Sequence, residues 1–152
     1  MLKILLIVIS IISSSNLYAK VTNLDVVLVK VWGPTGIKKG QFRNPYGISF
    51  DEINKNVFVS DCLNNTIKKY SLDGTLLKEW GSKGKGAGEF NYPAEVLVTS
   101  KRELLVADEK NHRIHKYDLD GNFIGWFNDY GYGSENGQLK NPLGMAEDSK
   151  GS

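Results

Sequence analysis

Two histidines, an arginine and several acids stand close together in one stretch of the chain, and such side chains can perform acid–base chemistry. The stretch runs from Asp108 to Asp118 and reads Asp-Glu-Lys-Asn-His-Arg-Ile-His-Lys-Tyr-Asp. A histidine beside a carboxylate can accept and donate protons near neutral pH. However, Asp, Asn, Ile, a basic residue and Tyr recur at matching places in Asp61 to Ser71, 47 residues earlier. The stretch is therefore interpreted as part of a repeat before any residue is assigned to catalysis.

The repeat extends along most of the chain. Its recurring positions are Trp32, Trp80 and Trp126 near strand ends, and Pro45, Pro93 and Pro142 after glycine-rich loops. Because these positions recur at intervals of 46 to 49 residues, the chain contains repeated supersecondary units. The elements that hold Asp108 to Asp118 are therefore expected to recur as well.

Each period divides into four short strands separated by turn sequences. The predicted strands are 46–50, 56–60, 66–70 and 75–80, then 95–99, 103–107, 113–117 and 122–127. Asp73-Gly74 and Asp120-Gly121 are hairpin signals between the third and fourth strands. The second strands, around Val57 and Leu104, are apolar at consecutive positions, which indicates sheets covered on both faces. We predict an all-β protein, a partial β-propeller of four-stranded antiparallel blades.

The repeat resembles the NHL repeat family, whose turn signature stands here as Asp108 followed by Asn111-His112-Arg113-Ile114. Two departures occur: Glu95 replaces the glycine of the family's Pro-x-Gly start, and Asn65-Thr66 replaces His-Arg in the first unit. The resemblance implies a six-bladed propeller. The expected segments are a leading outer strand at 26–32, a first blade at 42–80, a second at 90–127 and the start of a third at 139–152, within a propeller segment at 20–152.

The chain holds about two and a half such blades, whereas six would need ~270 residues at 40–50 per blade. We therefore expect a truncated propeller: a gene fragment, an incomplete sequence or a piece that must assemble. Isolated blades would leave apolar faces open, so self-association through these faces is also expected.

The first 19 residues have the order of a secretory signal peptide: Lys3, an apolar run from Ile4 to Ile12, and the small residue Ala19. The run is shorter than the ~20 residues of a spanning helix, so no stable membrane span is expected after cleavage; an N-terminal anchor is the alternative. We expect an exported protein, periplasmic or extracellular. The net charge of +2 gives no electrostatic argument for nucleic acid, and export also argues against it.

Recurrence in both units favours structural roles for the polar turn residues, because active sites are not normally repeated in each blade. The structural repeat positions are Asp61, Asn64, Asp108, Asn111, His112, Arg113, Trp32, Trp80 and Trp126. We predict no catalytic residue. Two histidines on one turn and strand, with Cys62 as the single cysteine, do not supply the ligands of a catalytic zinc, so no metal or cofactor is predicted. Cys62 is interpreted as a small turn residue or a buried thiol.

In propellers, the linkers between blades and the Asn-His turns share one face of the disc. The predicted binding face comprises Lys38, Arg43, Tyr46, Lys83, Lys85, Tyr92, Lys110, His112, Arg113 and Tyr132. The alternative is that these lysines are only solvated. We predict a non-enzymatic binding or scaffold module for a protein, peptide or glycan partner. The competing hypothesis is a metal-dependent lyase or hydrolase, similar to peptide α-amidating lyases or gluconolactonases, with its ligands in further blades.

Overall fold

The structure, a computed structural model, describes residues 33–127 and 138–148. The predicted signal peptide at 1–19, the leading strand at 26–32 with Trp32, and Tyr132 lie outside the described residues. None of the described residues belongs to a helix that is long and apolar enough to cross a membrane.

Two four-stranded antiparallel sheets form the body of the fold. The first contains Pro45–Asp51 (β1), Asn56–Asp61 (β2), Thr66–Ser71 (β3) and Leu76–Trp80 (β4). Two short parallel strands, Ser82–Lys83 (β5) and Glu89–Phe90 (β6), lie in the linker. The second sheet contains Pro93–Val98 (β7), Glu103–Asp108 (β8), Arg113–Asp118 (β9) and Phe123–Phe127 (β10), with a 3-10 helix at Glu109–Asn111.

The strand order β1-β2-β3-β4 in the first sheet is matched by β7-β8-β9-β10 in the second. Each sheet is therefore an up-and-down meander, as expected of a propeller blade. The predicted strands coincide with the observed ones to within about two residues at either end. The all-β class and the partial propeller of four-stranded antiparallel blades are confirmed.

Each blade carries a bulge at the same place between its third and fourth strands. In the first blade Tyr70 pairs with Leu76 and Lys69 with Lys78, so Leu77 is the extra residue. In the second blade the extra residue is Ile124, and both extra side chains are exposed. A bulge leaves one residue unpaired and increases the local twist of the strands. These bulges were not predicted from the sequence.

The expectation of an equivalent tryptophan at each blade's end is wrong for Trp126. Trp80 pairs with Ile67, whereas Trp126 pairs with His115 and its neighbour Phe127 pairs with Ile114. Phe127 thus takes the place of Trp80, one residue later than the tryptophan spacing suggested. Because neighbouring strand residues point to opposite faces, this offset places Trp126 on the other side of the sheet.

The main core lies between the two blades. Its buried members are Phe58, Ile67, Phe90, Val96, Leu104, Val106, Tyr117 and Leu119, with Trp80, Val98 and Phe123 packed against them. Trp80 meets Phe58 and Tyr117 edge-on, at ring-centroid distances of 6.4 and 5.8 Å. Phe90, which ends the glycine-rich linker, fills the gap between the sheets. Phe42 has the corresponding place on the other face of the first blade, with Val57, Val59 and Tyr70.

The first strands of the two blades approach each other closely at Gly47. A Cβ placed there would lie 2.7 Å from the carbonyl oxygen of Ala94 and 2.8 Å from the Cα of Glu95. Ser60 joins the two strands, since its hydroxyl donates to the Ala94 carbonyl and accepts the N–H of Gly47 at 2.8 Å. Any residue larger than glycine would push these backbones apart.

Candidate functional site

The loops of the blades lie in two sets at opposite ends of the strands. We call the first set the loop face: the linkers 33–44 and 81–92, the turns 61–66 and 108–113, and residues 138–142. Asn64 and Asn111 hold these linkers to these turns, donating to the carbonyls of Gly36 at 3.0 Å and Gly84 at 2.8 Å. The second set, the opposite face, contains the turns 51–56, 71–76, 98–103 and 118–123. It is linked across blades by the ion pair of Arg102 with Asp51, 2.9 Å.

Asp61 is a buried acceptor that ties the first blade's turn to the preceding linker. Its carboxylate accepts the N–H of Arg43 at 3.1 Å and of Asn44 at 2.9 Å. It also accepts the side chains of Asn64 and Lys68, both at 2.8 Å. With these four donors from the linker, the turn and β3, the carboxylate holds the loop in place.

Asp108 repeats this arrangement in the second blade with different partners. It accepts the N–H of Asn91 at 2.7 Å and the Asn111 side chain at 2.8 Å. Arg113 Nε and His115 Nε2 complete the set, both at 3.0 Å. In both blades the recurring aspartate and asparagine are thus joined by a hydrogen bond. Sequence reasoning missed Lys68 and His115, although each stands seven residues after its aspartate.

The positive charge that balances the buried aspartate comes from a different sequence position in each blade. In the first, Lys68 lies between Asp61 and Glu79 at 2.8 and 3.3 Å, and its ammonium sits over the Phe42 ring. In the second, Arg113 supplies the charge. Its guanidinium also donates to the carbonyls of Lys85, Gly86 and Glu89 and stacks on Trp126. Arg113 is thereby directed into the blade and presents little of its charge to a partner.

His115 has hydrogen-bond partners like those of a catalytic histidine, but its ring is buried and cannot contact a substrate. Its Nε2–H faces Asp108, and its Nδ1 accepts the hydroxyl of Tyr117 at 3.2 Å. The ring is fully buried among Phe90, Phe123 and Trp126. Burial lowers the pKa of His115, against the opposing effect of the hydrogen bond to Asp108. The imidazole is therefore a neutral part of the core.

His112 links the second blade's turn to the segment that follows it. Its backbone is left-handed, with φ of 58°, and its Nδ1 accepts the N–H of Asn141 at 3.1 Å. Asn65 occupies the corresponding place in the first blade, with φ of 54°, and its Oδ1 accepts the N–H of Tyr92 at 3.0 Å. Asparagine and histidine tolerate this backbone conformation better than most residues. The geometry gives His112 a positioning role shared with Asn65.

Cys62 lies beside Asp61 and is fully buried. Its thiol donates to the carbonyl of Pro93 at 2.9 Å, a contact between the two blades. Burial is the main cause, and the negative charge of Asp61 a smaller one, that raises the pKa of Cys62 to about 12. Of the two interpretations of this cysteine, the structure supports the buried thiol, which is unreactive because thiolate is the nucleophilic form.

The exposed part of the predicted binding face consists of cations and tyrosines. Lys38, Arg43, Tyr46, Lys83, Lys85 and Lys110 are exposed, while Tyr92 and His112 are partly buried. Lys110 lies over the Tyr92 ring at 5.4 Å, and Asn44 donates to the Tyr92 hydroxyl at 3.1 Å. Tyr46 is 53% exposed at the start of β1. Within 33–127 and 138–148, no three or more His, Cys, Asp or Glu side chains stand where they could hold a metal ion.

Comparison with known proteins supports this architecture. The model of a protein family described as "DUF5128: 6-bladed beta-propeller" matches residues 41–128, more than half of the chain. A search of the curated proteins found no match.

Several solved structures are similar to this chain. One is a virginiamycin B lyase from Staphylococcus aureus, with 20% identity and a TM-score of 0.54, covering 76% of this chain and 38% of that one. A catalytically inactive virginiamycin B lyase from the same organism, with quinupristin, has 22% identity and a TM-score of 0.45 over 56% and 28% of the two chains. A streptogramin B lyase has 26% identity and a TM-score of 0.44 over 53% and 25%. The chain thus spans between a quarter and two fifths of the length of these proteins. The similarity to the first of them, at 20% identity, shows the propeller fold alone.

Proposed function

The chain belongs to the DUF5128 family of six-bladed β-propellers, and from this premise we propose that it is a binding module that recognises a partner through the loop face. The observation that carries the proposal is the division of polar groups on that face. Asp61, Asp108 and His115 are buried and committed to contacts within the blades. The side chains left for a partner are exposed cations and tyrosines, which can bind but do not constitute an acid–base pair.

A protein, peptide or glycan partner fits the proposal better than nucleic acid because residues 1–19 carry the pattern of a signal peptide. We infer that the protein is exported and that Lys20 becomes its first residue. Sequencing the N-terminus of the protein recovered from the cell envelope or medium tests this inference. A chain that retains Met1 there would contradict cleavage.

The binding proposal is tested by comparing charge-reversed variants on a panel of immobilised peptides and glycans. The loop-face variant Lys83→Glu/Lys85→Glu is expected to lose binding that the wild-type chain shows. The opposite-face variant Lys55→Glu/Lys101→Glu carries the same change of charge and is expected to keep that binding. Equal binding by both variants and the wild type to every probe would refute the loop face as the recognition surface.

The competing hypothesis, a metal-dependent lyase or hydrolase with ligands in further blades, predicts a different outcome. Turnover of a lactone, ester or cyclic peptide substrate that is abolished by a chelator and restored by a divalent metal would favour it. The binding proposal predicts no turnover and no effect of chelator on partner binding.

A further inference from the structure

Exposed charges on the described residues are segregated between the two ends of the blades. Seven of the exposed basic residues lie on the loop face: Lys38, Lys39, Arg43, Lys83, Lys85, Lys110 and Lys140. Two lie on the opposite face, Lys55 and Lys101. The total charge of the chain conceals this asymmetry, because a nearly neutral protein can still carry one strongly charged face.

The exposed carboxylates have the reverse distribution. Within the described ranges, the exposed acids are Glu52, Asp73, Asp120 and Asp148, and none belongs to the loop face. Glu52 and Asp73 lie in the turns 51–56 and 71–76, and Asp120 lies in the turn 118–123. Asp148 follows Glu147, whose carboxylate accepts the N–H and hydroxyl of Ser100 on the opposite face.

The acids on the loop face, and Glu79 at the end of β4 beside it, are buried or partly buried. Asp61 and Asp108 are fully buried with their cations. Glu79 pairs with Lys68, and Glu89 accepts the N–H of Gly86 at 2.8 Å. Glu109 pairs with Lys110. Although Glu109 compensates Lys110, a partner approaching this face meets an excess of exposed positive charge.

We propose that the loop face binds an acidic polysaccharide, a chain whose sugar units carry carboxylate or sulfate groups. This inference rests on the proposed function and names the chemical class of its partner. The cations are distributed over three separate loops and the following segment, so they match a polymer with repeated charges better than a single small anion. Six of the seven are lysines, which act as flexible point charges and lack the bidentate fork of arginine.

An aromatic residue on the same face favours a sugar polymer over an acidic protein. Tyr92 presents a ring that is apolar in the body and polar at the tip, as suits the amphipathic face of a sugar ring. A protein interface instead needs a well-packed apolar centre. The exposed apolar side chains here, Ile37 and Leu63, belong to separate loops.

The experiment measures binding of the full chain to polygalacturonate and dextran sulfate, with neutral dextran, poly-glutamate and a single-stranded DNA oligonucleotide as comparison probes. We expect binding to the two acidic polysaccharides that weakens steeply with salt, and none to dextran. Equal or tighter binding of poly-glutamate or DNA at the same salt concentration would overturn the inference in favour of those polymers.

Variants separate charge from ring contacts. Lys83→Glu/Lys85→Glu is expected to lower affinity for polygalacturonate about tenfold or more and to reduce the salt dependence. Lys55→Glu/Lys101→Glu is the matched control and should change affinity less than about twofold. Tyr92→Leu should lower affinity about fivefold while leaving the salt dependence unchanged. Thermal melting of each variant verifies that it is folded.

The outcomes also separate this inference from the proposed function. If acidic polysaccharides do not bind but a neutral glycan or a peptide does, and the loop-face variant loses it, the polysaccharide inference fails and the binding function stands. If no probe responds to the loop-face variant, both fail. An equal loss in the Lys55→Glu/Lys101→Glu control would overturn the assignment of the loop face.

Discussion

Asp61 and Asp108 show how a single residue type organises a whole loop face. Each is buried, and each joins a linker, a turn and a strand through its hydrogen bonds. Their recurrence in the sequence was sufficient to predict a structural role. The identity of the partner cation was not predictable, because Lys68 in one blade and Arg113 in the other reach the carboxylate from different positions.

Replacement of Asp108 by asparagine is expected to destabilise the chain by about 3 kcal/mol, because it leaves the Arg113 guanidinium partly buried without its counter-charge. Urea denaturation followed by tryptophan fluorescence measures the change. Asp120→Asn is the control, since that carboxylate is on the surface. Similar midpoints for the two variants would contradict the central role of Asp108.

His115 makes the stability of the second blade depend on pH. Burial lowers its pKa below the ordinary value of 6.5, so the unfolded chain binds the proton more readily than the folded one. The contribution of His115 to the free energy of unfolding is therefore fully present above the unfolded-state pKa. It decreases as the pH falls from about 6.5 towards the folded-state pKa.

His115→Gln is expected to reduce this dependence, because glutamine is neutral throughout the same range. Unfolding free energies at pH 7.5 and 5.5 provide the comparison. An equally large decrease in the variant would show that the dependence arises from another group.

At the scale of elements, the strands were predictable and their fine register was not. Turn signals such as Asp73-Gly74 and runs such as Val57-Phe58-Val59 define strands locally, so their bounds follow from the sequence. The bulges at Leu77 and Ile124 depend on pairing between strands and have no local signal. The error at Trp126 has another cause: Trp80 and Trp126 are 46 residues apart, one fewer than the 47 residues between Asp61 and Asp108.

The close approach of β1 and β7 predicts different consequences for two glycines at corresponding places in the repeat. Gly47→Ala should destabilise the chain by about 1–3 kcal/mol, since its methyl group would meet rigid backbone atoms of β7. Gly144→Ala should have almost no effect, because no atom lies within 4 Å of the added group. Thermal unfolding of both variants tests this, and equal melting temperatures would contradict the packing argument.

At the scale of the whole molecule, the two blades bury corresponding positions to different degrees. Val96 of the second blade is 1% exposed because the first blade covers it, whereas its counterpart Ile48 is 38% exposed. Tyr46 is likewise exposed where Ala94 is buried. The repeat identifies the corresponding positions of the two blades, but a single sequence does not reveal which of these positions are covered by another blade.

We expect the chain to self-associate through the face that bears Ile48, since burying such a face removes apolar surface from water. Ile48→Lys should reduce concentration-dependent association in sedimentation velocity experiments. Ile124→Lys alters a similarly exposed isoleucine at the β10 bulge and should leave association unchanged. A wild-type chain that sediments as a monomer at all concentrations would contradict this expectation.

The buried thiol of Cys62 is an intrinsic probe of how often the two blades separate. The thiol is 1% exposed and its hydrogen bond crosses from the first blade to Pro93 of the second. A thiol reagent can modify it only while these elements are apart, so the labelling rate in native buffer reports how often they separate. Because this is the single cysteine of the chain, the cohesion of two neighbouring blades can be followed without an added probe.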